Sequence, residues 1–148
     1  MALDHPTGRI IDQGTPLVDH YKIKTVANMY PGRLVTMDTT DNQIKVCTAA
    51  TKPLGVLGYQ DTNENFRPDT VDTIYEVNDF AAVLFGGGFT YVGRLASGQN
   101  VAAGEYLTAA ADGELTAATV GTDDVVAVAR ESVDASGAAA DILVASRI

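Results

Sequence analysis

From Ala27 onward the chain is written in short apolar or alternating runs, cut by turn residues roughly every ten positions. Helices need an apolar stripe of period 3.6 held over about ten residues or more, and no such stripe occurs. The rhythm therefore limits the chain to many short strands, and many short strands close into a barrel or stack as a sandwich. Arg33–Met37 is followed by the turn Asp38–Asn42. Gln43–Thr48 then alternates, with Ile44 and Val46 on one face and Lys45 and Cys47 on the other. This is a hairpin pattern. Lys52–Tyr59 opens on a proline turn and carries Gly55 and Gly58, which suggest close packing or a bulge. Thr70–Val77 and Asp79–Phe85 form the longest apolar stretch, interrupted by Gly86, Gly87 and Gly88 before Phe89–Leu95. Asp112-Gly113 is a strong hairpin signal between Glu105–Thr108 and Glu114–Ala117, because both central residues tolerate positive φ. Val125–Arg130 and Ala140–Ala145 read as two final strands, and Asn100–Gly104 as a short helical turn.

The first 26 residues differ. They hold both histidines, His5 and His20, two prolines and scattered charge, with only Ile10-Ile11 and Leu17-Val18 as apolar pairs. No period of 2 or 3.6 is sustained, so residues 1–26 are expected to form an extended arm and residues 27–148 a β body. Removing residues 1–25 is then expected to leave a folded domain.

Charge excludes whole classes of partner. The chain has 148 residues and a formal net charge of −9. An acidic chain has no electrostatic footprint for phosphate backbones or anionic membranes, so neither nucleic acid nor membrane is expected as a partner. Met1–Pro6 lacks the basic and apolar regions of a secretory leader. The single Cys47 reads as a buried strand residue in a protein made in the cytoplasm.

Catalytic constellations are missing from the pattern: there is no Gly-x-Ser-x-Gly elbow and no His-Glu-x-x-His site. The histidines sit on the expected arm, where a general base is poorly positioned. Gly86–Gly88 is followed by the strand Phe89–Val92, not by the Gly-Lys-Ser/Thr and helix of a phosphate loop. Asp61–Asn65 starts like a calcium loop, but Phe66 stands where glycine is required and Asp72 where glutamate is. No enzyme, cofactor or metal is expected. Residues 60–70 form a long polar loop, and long ordered loops usually make contacts. Asn63, Phe66, Arg67 and Asp69 are the candidates there. The aromatic residues lie mostly in strand patterns and are expected to pack the core.

One order of motifs adds to this reading. Pro31–Val35 opens a strand, and Lys52-Pro53-Leu54-Gly55-Val56-Leu57-Gly58 follows. Ala96–Leu107 contains Gly-Gln-Asn-Val-Ala-Ala-Gly-Glu-Tyr-Leu, and the chain closes with Asp112–Thr116 and Val126–Ser132. Over residues 27–148 this order resembles the capsid decoration, or head cement, proteins of tailed bacteriophages and related archaeal viruses. The resemblance implies a non-enzymatic virion protein on the exterior of the mature head. It would bind the major capsid protein at capsomer junctions, often as a homotrimer, and stabilise the shell against internal DNA pressure. It also implies a gripping arm, with Ile10, Ile11, Leu17 and Val18 as apolar anchors and Arg9, Lys22 and Lys24 facing an acidic shell. A tail, baseplate or fibre module binding glycans or a receptor is the alternative.

Overall fold

Thirteen short strands make up the regular structure of the computed structural model, which describes residues 5–49 and 51–148. The first seven are β1 (Ile11–Gln13), β2 (Leu17–Ile23), β3 (Leu34–Met37), β4 (Gln43–Val46), β5 (Gly55–Leu57), β6 (Phe80–Phe85) and β7 (Thr90–Leu95). Then come β8 (Gln99–Val101), β9 (Tyr106–Ala109), β10 (Leu115–Ala117), β11 (Ala127–Ala129), β12 (Val133–Ala135) and β13 (Ala140–Ser146). A 3₁₀ turn at Ala111–Gly113 is the helical element among the described residues.

The strands build two closed units. Strands β2-β4-β3-β5-β6 form a closed barrel. Strands β7-β10-β9-β11-β13 form a second ring, because β13 also pairs with β7 along Ala140–Ala145. β1 lies on the open edge of β7, and β8 with β12 makes a two-stranded flap.

Alternation along the strands explains how the two units join. Successive strand side chains point to opposite faces. Val35, Leu57, Val83 and Ala81 point into the first barrel, with Ile23, Ile44, Met29 and Tyr75. Their neighbours Leu34, Val56 and Leu84 point outward, into a larger core with Tyr91, Leu95, Leu107, Leu115, Ile142 and Val144. Strands β3, β5 and β6 are thus buried on both faces, which is why they read as continuous apolar runs. Burial of one such leucine is worth about 1.5–3 kcal/mol. Gly55 is required by this closeness, since a Cβ there would lie 2.5 Å from the Leu84 carbonyl oxygen.

The expected hairpins are present. β3 and β4 pair antiparallel with Val35 opposite Val46, and Ile44 and Cys47 go to different cores, as the alternation requires. β9 and β10 pair around Asp112 (φ 59) and Gly113 (φ 72).

The expected arm is corrected by the structure; residues 1–4 lie outside the described set. Residues 5–13 strap the second ring, with Ile10 buried at 3% exposure and its carbonyl accepting from the Val92 amide. β2 is a full barrel strand, paired from Leu17–Lys22 with Phe85–Phe80 and parallel to β4. Its inward set is Leu17, Asp19, Tyr21 and Ile23. The first two lie at the open end of the barrel, so polar Asp19 and exposed Leu17 break the apolar alternation that would have marked a strand.

Two smaller expectations also change. His5, placed on the expected arm, instead sits against the body: its Nε2 lies 2.8 Å from Oε2 of the buried Glu131. Of Asn100–Gly104, expected as a helical turn, Asn100 and Val101 instead belong to β8, because buried Val101 pairs with Val133 of β12.

Candidate functional site

The loop from Gly58 to Asp79 leaves the first barrel after β5 and returns at β6. An internal pillar holds its base. The Tyr75 hydroxyl donates to the Gly58 carbonyl at 2.6 Å and meets the Thr62 hydroxyl at 2.7 Å, and Thr62 Oγ1 accepts from the Ala82 amide of β6. Burial drives the Tyr75 hydroxyl pKa well above its ordinary value, so it remains a donor. Further out, Asn63 Oδ1 accepts from the Asn65 amide, and the Asn63 carbonyl accepts from both Phe66 and Arg67. The loop is therefore ordered by its own polar contacts, as a functional loop can be.

This order brings β2 and the loop together at Phe80, the first residue of β6. The Phe66 ring packs edge-on against Phe80 at 5.7 Å, and Lys22 Nζ, opposite Phe80 in the strand register, lies 5.9 Å from the same ring. Lys24 bonds Asn78 Oδ1. Phe80 is 45% exposed and Val77 54% exposed. The result is an exposed aromatic patch with Lys22 against it and Lys24 on the neighbouring Asn78, while Glu76 and Asp79 border the same stretch. Such rimmed patches mark protein contact sites.

The other sequence candidates fall in several places. Ile10 is buried in the larger core and cannot serve as an anchor; Ile11 packs partly against that core. Leu17 and Val18 are exposed at the barrel end, where Leu17 touches Gly86. Arg67 lies over the Tyr59 ring at 5.2 Å, and the Tyr59 hydroxyl donates to the Asp69 carbonyl. Asn63 and Asp69 remain exposed at the loop surface. Arg9 lines a separate cleft between the N-terminal strap, the Tyr30–Arg33 turn and β7. Phe80 and Val77 are absent from the sequence-based set. Phe80 opens an apolar strand, and nothing in that pattern distinguishes an exposed aromatic from a core one.

Arg33 lies beside that cleft, with its Nη1 donating to the Asp112 carbonyl at 2.8 Å and Glu114 at 3.7 Å. Burial lowers its pKa from the ordinary value, opposed by Glu114 and reinforced by Arg94. A guanidinium so placed keeps its charge.

A protein-family model described as XM1 gp53 minor capsid protein matches residues 3–147. No curated protein sequence matches the chain. Among solved structures, the chain is similar to the crystal structure of the head fiber gp8.5 N base in bacteriophage phi29. The TM-score is 0.57 at 15% identity, over 89% of this chain and 94% of that one. At that identity the likeness concerns the fold.

Proposed function

Because the chain belongs to the XM1 gp53 minor capsid protein family and is thus a phage virion structural protein, we propose that it decorates the outer face of the head. In this reading it is not an enzyme. It binds the major capsid protein at capsomer junctions and stabilises the assembled shell. The observation that carries the reading is exposed Phe80 with the Phe66 ring and Lys22 against it. Apolar centres provide affinity, and lysines complement an acidic shell and steer the approach. A ligand that binds only the assembled shell stabilises it by mass action. Repetition over the lattice multiplies modest single-site affinity. The acidity of the rest of the molecule keeps an abundant exterior subunit soluble.

The test is co-sedimentation of the purified chain with heads that lack it, followed by cryo-EM of the saturated particles. Wild type is expected to pellet with heads and to add density outside the shell. Phe80→Asp is expected to weaken binding at least tenfold while the protein stays folded. Density on the inner face, or undiminished binding of Phe80→Asp, would refute the proposal. Association into a homotrimer belongs to the same proposal, and sedimentation of the free protein tests it. The likeness to a head fibre base favours a second reading, in which the domain seats an attached fibre on the shell. A filament emerging from the same density would decide for it.

A further inference from the structure

The cleft that holds Arg9 has a volume of about 680 Å³, and it gathers cationic side chains that the sequence disperses. Arg9 comes from the strap, Arg33 from the turn before β3, and Arg94 from β7. The chain has 10 Lys and Arg against 19 Asp and Glu, so three guanidiniums in one cleft stand against the overall charge.

Each guanidinium carries five N–H donors in a planar fork. Among the described residues, Arg33 spends Nη1 on the Asp112 carbonyl, and Arg94 spends Nη1 on Asp141 at 2.9 Å. Arg33 also faces Glu114 at 3.7 Å and lies over the Tyr30 ring, so Arg9 and the more exposed Arg94 are the arginines that can turn further donors to a ligand. Tyr30 and Val92 give the cleft apolar wall between the arginines.

We infer that this cleft receives an extended peptide segment of the shell protein carrying two or more carboxylates. The inference rests on the proposed docking to the shell and deepens it. Guanidinium forks match carboxylates in a bidentate manner, and tyrosine and valine walls suit a peptide backbone. Asp72 and Asp141 also line the cleft, and the whole molecule is acidic. Both carboxylates oppose any anion, and they oppose a densely charged polyphosphate more than spaced carboxylates that can each meet one arginine. Position supports the same partner. Asp72 belongs to the loop whose other side presents Phe66 to the apolar patch, so one loop borders both surfaces.

The test uses the full chain, with an Asp-Ala-Asp-Ala-Asp peptide as solution probe and heads as the second ligand. Amide chemical shifts of Gly32, Val92 and Gly93 should move on titration with the peptide. The double variant Arg9→Gln/Arg94→Gln should abolish those shifts and reduce head binding about tenfold, with an unchanged melting temperature. Full head binding by the double variant, without peptide shifts in wild type, overturns the cleft and leaves shell docking intact. Peptide shifts in a protein that never binds heads overturn the shell as the source. Equal displacement of the peptide by inorganic phosphate or oligothymidylate overturns the carboxylate specificity. Self-association that the double variant abolishes overturns it in favour of a second copy of the chain.

Discussion

Gly113 combines two demands at one residue. Its φ is +72°, and a Cβ there would lie 2.7 Å from the Leu34 carbonyl oxygen, which belongs to the other barrel. The hairpin turn is thus also a spacer between the two units. Gly113→Val is expected to cost at least ~2 kcal/mol, a fall in melting temperature of about 4–8 °C. Gly137→Ala, with open space around it and no positive φ, should leave the melt unmoved. Cys47 sits fully buried, and desolvation pushes its thiol from 9.0 up to about 12. The folded thiol then keeps its proton where the unfolded one loses it. Its contribution to stability is complete below about pH 9 and is lost as pH rises toward 12. Thermal melts should therefore fall above pH 9, and Cys47→Ala should show a shallower fall over that window. His5 and Glu131 form a third dependence. Among the described residues, Glu131 Oε1 has no partner and Oε2 has His5. His5→Ala strands a buried carboxylate and should cost about 1–3 kcal/mol, whereas Glu131→Gln retains a hydrogen bond to the ring and should cost less.

At the level of elements, the loop between β5 and β6 depends on the Tyr75 pillar. Tyr75→Phe preserves the ring and removes the hydroxyl that Gly58 and Thr62 share. The expected loss is about 1–3 kcal/mol, with faster hydrogen exchange at Thr62 and Ala82 and weaker head binding because Phe66 is no longer held on Phe80. How far such elements were legible differs by strand. β3, β4, β9 and β10 announce themselves through turn residues with positive φ and through clean alternation. β2 does not, because half of its inward positions open to solvent at the barrel end. β8 and β12 are three residues each, too short for a period to emerge, and only Val101 opposite Val133 betrays them. The candidate site was half legible. Lys22 and Phe66 were identifiable as surface residues of interest, but their meeting at Phe80 follows from a register between residues 58 positions apart, which local pattern cannot encode.

For the whole molecule, the decisive fact is that the N-terminal segment serves both units: β2 closes the first barrel, while β1 and Ile10 cover the second, which β13 closes on β7. Deleting residues 1–25 removes β2 with two rows of its hydrogen bonds, opens the first barrel, and strips Ile10 from the shared core. The truncated chain is expected to show no cooperative melt and to bind a dye specific for exposed apolar surface, contrary to what an independent arm would give. The pairing also has a temporal side. Leu17 waits for Phe85, Ile11 for Tyr91, and Tyr91 in turn for Val144, close to the last residue. The first barrel needs only residues 17–85, but the second ring cannot close until Ala140–Ser146 has been made, so its strand edges stay unsatisfied until the end of synthesis. Such distant pairings slow folding and lengthen exposure to wrong partners. The second unit therefore depends for its completion on the last strand of the chain, and the yield of folded protein depends on how long its strand edges escape aggregation until then.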